Sequence, residues 1–403
     1  MKIEKYLQSE CASLQGKVVA ITGSTGGLGE AICKYVASLG GQLILLNRNP
    51  KKTQLQIEKL KEKFGTTAKF FQVDMADIFS VKNLCQAIGE QKIDYLILNA
   101  GAYSLPREKS ALGLDNVFQI NFASPYFLCK NLLPNLNGGK VIVVGSIAHK
   151  YSKIKTDDID FSKVKAPRKV YGNAKRFLMF SLKKLLKNSG VEYVIAHPGI
   201  TPTNITSHYP KWISAIIKYP MKWIFTSPQK AGLNIMKAMF TSMEQNTWIG
   251  PRIFNIWGRP KVQKLNTCKE EEQKQIFEIA EEVFDKGSKI NIHSLGVQEK
   301  YYNLIKSGEK IYEGRLNDEK RKLIEIGDII TIQKDPERKE SFDVKVEDKL
   351  HFKNFFEMAQ SLGGAPIGFK GMKAEEVANI YQEFYSQEKQ NQFGVVAIRL
   401  KKL

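Results

Sequence analysis

The sequence predicts a doubly wound α/β fold built on a parallel sheet, followed by a smaller, β-barrel-like α+β domain. Apolar runs alternate with segments of helical periodicity up to about residue 250, the pattern of repeated βαβ units that need a sheet covered on both faces. A glycine-rich turn joins the first apolar run to the first helical segment. From residue 290 the pattern changes to short β-type runs, so we expect two domains, 1–288 and 289–403.

Short apolar runs define the strands of the predicted parallel sheet. Runs without polar alternation are typical of strands buried on both faces, and the segments between them are long enough for crossover helices. Ligands of such sheets bind at the C-terminal ends of the strands. The runs lie at 17–22, 42–46, 68–73, 93–98, 140–144 and 191–196.

Helical periodicity predicts further elements in both domains. A helix is expected over 170–186, and another over 270–285, with residues 286–288 as its stop and as the linker between the domains. The elements expected in the second domain are helices at 299–307 and 374–386 and strands at 329–332, 342–346 and 395–398.

The chain has 403 residues, of which 43% are hydrophobic, enough for full cores and against global disorder. Its net charge is +20. Residues 290–403 hold 19 basic and 18 acidic side chains, so nearly all of the excess lies in the first domain. A basic enzyme with an anionic cofactor explains this balance, and attraction to nucleic acid or to an anionic membrane is the alternative.

Cysteine usage and the N-terminal sequence bear on metal content and location. The five cysteines form no C-x-x-C pair, so neither a metal site nor a disulfide framework is predicted, and a reducing compartment is expected. The start of the sequence lacks the apolar stretch of a signal peptide, and no run of about 18 apolar residues predicts a transmembrane segment. We therefore expect a cytoplasmic protein.

Residues 209–225 interrupt the βα alternation with aromatic and apolar residues interspersed with lysines. Three interpretations remain open. The segment is a lid over an apolar substrate pocket, a peripheral contact with a membrane surface, or an ordinary amphipathic helix that covers the core.

The glycine-rich turn has the composition of a phosphate-binding site. Gly23, Gly27 and Gly29 follow the first strand and lead into the first long helix. Glycines let the backbone approach a pyrophosphate, and a helix N-terminus supplies N–H groups and the positive end of its dipole. The strand–turn–helix order indicates a dinucleotide cradle.

A second group of residues suits proton transfer. Tyr171 and Lys175 are four residues apart in a helical segment and therefore share one face. A nearby ammonium favours the phenolate and lowers the pKa of a tyrosine, which then exchanges a proton with a carbonyl or alcohol oxygen. Ser146, just after the 140–144 strand, is placed to orient that oxygen, and Asn121 to hold a relay water.

These motifs together resemble the short-chain dehydrogenase/reductase superfamily over residues 16 to about 287. The resemblance is closest to its retinol-dehydrogenase-like and WW-domain-oxidoreductase-like branch, through the segments 146–149, 157–159 and 197–199. It implies a Rossmann fold and an alcohol–carbonyl oxidoreductase that acts on an apolar small molecule. The matching motifs are T-G-x-x-x-G-x-G at Thr22–Gly29, Asp74, Asn99-Ala100-Gly101, Asn121, Ser146, Y-x-x-x-K at Tyr171–Lys175, and Pro198-Gly199.

The resemblance implies a role for each matched residue. Asn121, Ser146, Tyr171 and Lys175 are the expected catalytic tetrad, and relatives often associate through the helix that carries Tyr171, so a homo-oligomer is one expectation. Leu98 and Gly172 depart from the family pattern without removing a reacting group. The expected cofactor-binding residues are Thr22, Gly23, Ser24, Thr25, Gly27, Leu28, Gly29, Asn47, Arg48, Asp74 (at the adenine), Met75, Asn99 (supporting its strand), Ala100, Gly101, Tyr171, Lys175, Pro198, Gly199, and Ile200 and Thr201 (at the nicotinamide amide).

The end of the second strand predicts the choice of cofactor. An acidic residue there would hydrogen-bond a ribose 2′-hydroxyl and select NAD. This strand instead ends in Asn47 and Arg48, with Lys51 and Lys52 beyond. Because Arg48 offers bidentate donors to a 2′-phosphate, we expect NADP(H) to be preferred over NAD(H).

The last quarter of the chain resembles the ASCH family, a PUA-like β-barrel linked to RNA. Its G-x-K-x-x-E-x-R signature matches Gly308, Lys310, Glu313 and Arg315, and Gly327-Asp328 and the 394–398 strand add to the match. The signature side chains are expected either to line a cleft for RNA or a nucleotide or to form a structural salt-bridge cluster.

Some ASCH relatives are amidohydrolases of acetylated cytidine that use the motif Lys, a Thr and a later Glu. Here Glu313 stands at the Thr position, and residues 368–371 contain no carboxylate. That activity is therefore not expected of this chain.

Two functional hypotheses follow. The first is an NADP(H)-dependent oxidoreductase acting on an apolar alcohol or carbonyl compound. The second is an RNA-binding or nucleotide-sensing protein in which the dehydrogenase domain is a sensor of cofactor redox state.

Overall fold

The structure is a computed structural model that describes residues 3–103, 105–152, 158–164, 166–200, 226–242 and 246–402. The chain divides into two compact units, Met1–Gly287 and Ser288–Leu403. Thr201 and the segment 209–225 lie outside the described residues.

An eight-stranded sheet in the order β3-β2-β1-β4-β5-β6-β7-β8 forms the centre of the first unit. Neighbouring strands are parallel except β7 and β8, which form an antiparallel hairpin at one edge. The strands are β1 (Val18–Thr22), β2 (Gln42–Asn47), β3 (Ala68–Gln72), β4 (Tyr95–Leu98), β5 (Lys140–Val144), β6 (Glu192–Ala196), β7 (Thr247–Ile253) and β8 (Trp257–Lys264).

Helices connect and cover these strands. The asparagine-containing turn at Gln119–Ala123 is a π-helix between two short α-helical pieces. The described α-helices of this unit are Ile3–Glu10, Gly27–Ser38, Pro50–Phe64, Ile78–Ile88, Asn116–Phe118, Ser124–Asn131, Pro167–Leu185, Pro228–Met239 and Glu270–Lys289, and 3-10 turns lie at Pro134–Leu136 and Ile147–Tyr151.

The strand order places a crevice beside β1. The chain builds β1, β2 and β3 outward in one direction and then returns to the other side of β1 with β4. β1 pairs with both β2 and β4, Ile21 lying opposite Leu45 on one side and Ile97 on the other. Such a reversal of order opens a ligand crevice at the C-terminal strand ends.

Capping residues explain where several helices begin. Asn49 accepts a hydrogen bond from the Lys52 N–H, Pro50 occupies the first turn, and Gly65 ends the same helix in the left-handed region. Asp77 caps the next helix through the N–H groups of Phe79 and Ser80. These caps fix the helices on either side of β3.

The second unit contains a five-stranded sheet curled into a half-barrel, in the order β10-β13-β12-β11-β9. β9 and β11 are parallel, and the other pairs are antiparallel. Its strands are β9 (Ile292–Gln298), β10 (Tyr312–Leu316), β11 (Ile329–Asp335), β12 (Ser341–Phe352) and β13 (Val395–Lys402), and its helices are Glu299–Ser307, Glu319–Lys322, Phe355–Leu362, Ala374–Gln382 and Gln387–Phe393.

The fold class predicted from the sequence is confirmed, and one predicted helix end is wrong. The helix expected to stop at residues 286–288 continues to Lys289. A Cβ on Gly287 would lie 3.2 Å from the Phe127 ring, so this glycine serves close packing against another helix and does not end its own.

Candidate functional site

The glycine turn after β1 forms a tight cradle. Gly23 has φ +68°, and a Cβ there would lie 3.0 Å from the Ala100 Cα. A Cβ on Gly29 would overlap the Gly23 carbonyl oxygen and lie 2.8 Å from the Ser24 Cα. The helix that begins at Gly27 has Gly26 as its N-cap, without a side-chain cap. This arrangement leaves backbone N–H groups for an anionic ligand and fits a dinucleotide pyrophosphate.

A buried polar network holds the cradle to the end of β2. Asn47 accepts a hydrogen bond from the Ser24 N–H at 2.8 Å and donates to the Ser24 and Thr53 hydroxyls. Gln56 accepts from the Ser24 hydroxyl and donates to the Ser24 carbonyl. The side chains of Ser24 and Asn47, both predicted to bind cofactor, are thus occupied by each other and act on the shape of the cradle.

Asn99 joins the ends of β1 and β4 across the crevice. Its side-chain amide donates to the carbonyls of Thr22 and Gly23 at 2.9 and 3.0 Å. The Thr22 hydroxyl in turn accepts from the N–H groups of Asn99 and Ala100. These contacts hold the ends of β1 and β4 together, and Thr22 and Ala100 take part in them.

Arg48 lies at the open end of the crevice, next to Asp74. Its side chain is 76% exposed, and its guanidinium is 3.5 Å from the Asp74 carboxylate. Asp74 also accepts from the Ala76 N–H, while Met75 is buried and its carbonyl accepts from the Ser124 hydroxyl. An exposed pair at this distance contributes little energy, so Arg48 is free to turn toward a ligand.

Tyr171 and Lys175 lie on the helix Pro167–Leu185, on the face directed at the end of β5. The Lys175 ammonium is buried and donates to the Val144 carbonyl at 3.1 Å, and it lies 5.9 Å from the centre of the Tyr171 ring. Burial lowers the pKa of Lys175 to about 8. Burial also raises the pKa of Tyr171 to about 12, although a hydrogen bond with Ser146 opposes this.

The pKa of Tyr171 corrects one expectation. We expected the nearby ammonium to lower the pKa of this phenol, but in the ligand-free protein desolvation dominates and raises it. The phenol is therefore protonated at neutral pH, the form that donates a proton to a carbonyl oxygen.

Asn121 lies in the π-helical turn and has an unpartnered oxygen. Its amide nitrogen donates to the carbonyls of Ala102 and Val117, and its Oδ1 is buried without a hydrogen-bond partner among the described residues. A Cβ on Gly101 would lie 2.8 Å from that oxygen and 3.4 Å from the Lys175 ammonium. The two groups thus border one polar space, as a bridging water needs.

A second layer of contacts, not foreseen from the sequence, holds the Ser146 loop. The His149 ring lies 2.5 Å from the Ser146 carbonyl and 2.8 Å from the Thr267 hydroxyl. Burial lowers the pKa of His149 to about 4, so the ring is neutral and donates to Ser146 through Nδ1. Arg176 donates to the His149 carbonyl and is paired with Glu272. The sequence offers one indication of this second layer. Arg176 directly follows Lys175, and one residue turns a helix by about 100°, so Arg176 lies on a neighbouring face of the same helix.

Gly172 lets the Ser146 loop pack directly on the Tyr171 helix. A Cβ at residue 172 would overlap the Ser152 hydroxyl and lie 2.6 Å from the Ala148 carbonyl oxygen. The hydroxyl is the end of a short side chain, but the carbonyl belongs to the 3-10 turn that Ser146 caps. The departure from the family pattern at Gly172 thus keeps Ser146 and Tyr171 close.

We therefore expect Gly172→Ala to separate Ser146 from Tyr171 and to lower kcat by about tenfold to a hundredfold, with little change in the KM for cofactor. Steady-state kinetics with thermal unfolding as a check on folding measures this. Adding Ser152→Ala removes one overlap but leaves the Ala148 carbonyl, so the double variant should regain only part of the rate. An unchanged kcat in Gly172→Ala would show that the loop adjusts freely.

The turn after β6 completes this edge of the sheet. Gly199 has φ +88°, and a Cβ there would lie 2.9 Å from the Ile256 carbonyl oxygen. Pro198 precedes it, and the Ile200 carbonyl accepts from the Thr226 N–H. Gly199 is thus held against the β7–β8 turn, while the partner expected for the nicotinamide amide, Thr201, lies outside the described residues.

The ASCH signature residues form a buried ionic cluster in the second unit. Glu313 accepts from Arg315 at 2.9 Å and lies 3.3 Å from the Lys310 ammonium. Lys310 also donates to the Ile367 carbonyl at 2.6 Å, and Arg315 to the Gly296 carbonyl. Burial alone would raise the pKa of Glu313, but the charges of Lys310 and Arg315 hold it below its ordinary value.

The same cluster lines a cavity of about 240 Å³ with aromatic walls. The ion pairs are thus internal and also border the cavity. Other wall residues, which the sequence did not indicate, are Tyr301, Asp335, Phe369, Tyr381, Phe384 and Tyr385.

The described residues contain neither a cluster of metal-binding side chains nor a helix able to span a membrane. Across the described ranges, no group of three or more His, Cys, Asp or Glu residues is arranged to hold a metal ion. In the same part of the chain, every helix is too short or too polar to traverse a bilayer.

A doubly wound sheet with a glycine cradle and a Tyr–Lys pair at its C-terminal edge defines an NAD(P)-dependent oxidoreductase. Residues 17–214 match the model of the short chain dehydrogenase family, and residues 295–403 match that of the ASCH domain. The first unit thus carries a short-chain dehydrogenase/reductase domain, and the second carries an ASCH domain. Both resemblances inferred from the motifs are confirmed.

Characterised relatives and a solved structure agree with this assignment. Human polyprenol dehydrogenase is 27% identical over 241 residues, which are 56% of this chain and 73% of that protein. Mouse retinol dehydrogenase 13 is 26% identical, over 55% of this chain and 70% of its own length. An uncharacterised protein from Mycobacterium paratuberculosis has the same fold, with a TM-score of 0.57 at 21% identity over 69% of this chain and 96% of its own.

Proposed function

We propose that the first unit transfers a hydride reversibly between NADP(H) and an alcohol or carbonyl group of an apolar small molecule. The observation that carries this proposal is the placement of Tyr171, Lys175 and Ser146 around the C-terminal end of β5. The glycine cradle after β1 supplies the binding site for the pyrophosphate.

Each side chain has a definite task in this reaction. In reduction, the Tyr171 hydroxyl donates its proton to the carbonyl oxygen, which the Ser146 hydroxyl orients. The Lys175 ammonium stabilises the phenolate that remains, and the Val144 carbonyl fixes its position. Asn121 holds a water that returns a proton toward Lys175. When bound, the nicotinamide supplies the hydride for reduction or accepts it in oxidation.

Arg48 supports a preference for NADP(H) within this proposal. β2 ends in Asn47 and therefore offers no carboxylate to a ribose 2′-hydroxyl, and the Asn47 side chain is itself buried and bonded to Ser24. The exposed Arg48 guanidinium is the group at this strand end that is free to pair with a 2′-phosphate. Binding of the 2′-phosphate would break the weak ion pair between Arg48 and Asp74.

Exchanging Arg48 for aspartate should therefore lower kcat/KM with NADPH by about tenfold to a hundredfold and raise it with NADH. The ratio of kcat/KM for the two cofactors is the measurement. Lys59→Asp makes the same change of charge at an exposed site of the adjacent helix and should leave the ratio unchanged. Equal use of both cofactors by the unaltered enzyme, or an unchanged ratio in Arg48→Asp, contradicts the preference.

The proposed substrate class is apolar. The relatives named polyprenol and retinol dehydrogenases bear names of lipophilic alcohols. The Tyr103 ring packs edge-on against Tyr171, with centroids 5.3 Å apart, and gives the reacting hydroxyl an aromatic neighbour.

NADPH oxidation with a panel of lipophilic aldehydes and ketones tests the activity. Turnover by the unaltered enzyme that is lost in Tyr171→Phe supports an oxidoreductase. Absence of turnover across the panel, together with bound cofactor, would favour a sensor of cofactor redox state.

A second candidate function belongs to the second unit, and the cavity bordered by Lys310, Glu313 and Arg315 carries it. Since both cations are paired internally, they are poorly placed to neutralise phosphates. The aromatic walls and the volume of about 240 Å³ suit one planar base of an RNA or nucleotide. This function is independent of hydride transfer.

Fluorescence titration of the whole chain with short RNAs, nucleotides and nucleosides tests this second function. Loss of binding in Tyr385→Ala, with unchanged NADPH oxidation, supports it. Binding that is equal in the variant, or that vanishes at moderate salt for every ligand, assigns the affinity to basic surface elsewhere.

A further inference from the structure

The β7–β8 hairpin ends in an exposed apolar tip. Phe254 is 82% exposed, Ile253 49% and Trp257 37%, and Ile253 lies directly opposite Trp257 in the strand register. Side chains directly opposite each other share a face of the hairpin. Three large apolar side chains are thus exposed at the hairpin tip, where they contribute little hydrophobic free energy to folding.

The backbone conformation of this tip makes a large apolar residue at position 254 unusual. Phe254 and Asn255 have φ of +52° and +59°, and the Ile256 N–H donates to the Ile253 carbonyl to close the turn. Glycine or asparagine is preferred at both central positions of such a turn. A bulky phenylalanine there is costly in backbone energy and in exposed area, so its presence calls for an apolar partner.

The same hairpin is strongly basic. Residues 247–268 contain Arg252, Arg259, Lys261 and Lys264 and no acidic residue. All four cations are exposed, and within the described ranges none of them is paired with a carboxylate. An apolar tip with unpaired cations along the strands behind it complements a surface that is anionic outside and apolar beneath.

The tip lies at the substrate edge of the sheet. His197, after β6, faces the Asn255 carbonyl with one ring nitrogen at 3.1 Å and the Gly145 carbonyl with the other at 3.5 Å. Gly145 directly precedes Ser146. The hairpin turn is therefore two contacts away from the residue that orients the reacting oxygen.

We propose that the β7–β8 hairpin docks on the surface of an anionic phospholipid bilayer. Phe254, Ile253 and Trp257 enter the interface between headgroups and acyl chains, and the four cations contact the lipid phosphates. Docking by this tip turns the C-terminal edge of the sheet toward the lipid, where an apolar substrate is concentrated. The binding step itself does not depend on the proposed reductase activity.

Other partners fit the hairpin less well. Pairing of β8 with the edge of a second copy is opposed by Pro260, which lacks an N–H, and by the lysines along the strand. RNA would match the charge and the rings of Phe254 and Trp257, but the aliphatic Ile253 beside them adds no stacking surface for a base.

Sedimentation of the full chain with vesicles tests the proposal. We expect binding to phosphatidylcholine vesicles that contain about one third phosphatidylserine, weaker binding to phosphatidylcholine alone, and release by high salt. Phe254→Asn should weaken binding about tenfold or more, and its fold should be retained because asparagine suits the turn. Arg259→Gln with Lys261→Gln should weaken binding roughly 25-fold, at about fivefold for each cation.

Leu323→Asn provides a matched control. Leu323 is 69% exposed and lies in the second unit, so its replacement removes a comparable apolar side chain and should leave vesicle binding unchanged. Vesicle binding equal to that of the unaltered chain in Phe254→Asn, or insensitive to phosphatidylserine, overturns the proposal. So does a self-association, or a binding of RNA, that is lost in Phe254→Asn while vesicles are not bound.

Discussion

Replacing Tyr171 by phenylalanine is expected to lower kcat for carbonyl reduction by about a hundredfold to ten-thousandfold, the range that a positioned proton donor contributes. The substitution keeps the ring and its edge-on contact with Tyr103 and removes only the hydroxyl. Cofactor binding, measured by the fluorescence of NADPH, should change little because the cradle after β1 is untouched.

The pH profile of the unaltered enzyme provides an independent check on the same pair. With a pKa of about 12, Tyr171 stays protonated up to alkaline pH, whereas Lys175 loses its charge above about pH 8. Because the ammonium stabilises the developing phenolate, kcat for reduction should be flat below pH 8 and fall above it. The order of the two losses follows from burial, which lowers the pKa of the ammonium and raises that of the phenol.

Tyr35→Phe serves as the control for this experiment. It removes a hydroxyl whose described hydrogen bond is to the Gln229 carbonyl and not to Ser146, Tyr171 or Lys175, so stability should fall slightly and kcat should not. A Tyr171→Phe enzyme that retains full kcat would exclude Tyr171 as the proton donor and would leave Ser146 as the group to test.

The second large effect is expected in the second unit, where Glu313→Ala should lower the free energy of unfolding by about 3–5 kcal/mol. The substitution leaves Lys310 and Arg315 buried next to each other without their shared carboxylate. Hydrogen exchange of the amides in β10 and β13, which pair with each other, is the local measurement. Denaturation monitored by tryptophan would miss the effect, because residues 288–403 contain no tryptophan.

Glu309→Ala is the matched control for Glu313→Ala. Glu309 is exposed and accepts one hydrogen bond from the Ser307 hydroxyl, so its loss should change stability by less than about 0.5 kcal/mol. Equal protection of β10 in both variants would mean that the cluster is compensated by water in the cavity.

The sequence predicted the strands that are buried on both faces, because such strands are continuous apolar runs. The β7–β8 hairpin escaped prediction for the opposite reason. β8 is exposed along most of its length, and the hairpin contains Pro251, Gly258 and Pro260, which are rare inside strands. Strands of this kind are held by their neighbour's backbone and leave no apolar pattern.

The site residues also differ in whether a local sequence pattern indicates them. Tyr171 and Lys175 are predictable because their spacing on one helix face is local. His149, Arg176 and Thr267 meet only through packing of distant segments, and none of them has a distinctive spacing. The same applies to Asp335 and Tyr385 beside the ionic cluster. The pKa of Tyr171 was likewise beyond prediction, since the extent of its burial is set by the whole fold.

The polar network of Ser24, Asn47 and Gln56 has a consequence for the rate at which cofactor binds. The turn between β1 and its helix is fixed by four buried hydrogen bonds before any ligand arrives. Little conformational entropy remains to be lost on association, so the encounter needs no folding step in the cradle. The rate at which oxidised dinucleotide is exchanged for reduced dinucleotide is then set by ligand dissociation. When the chemical step is fast, dissociation of the dinucleotide also limits kcat.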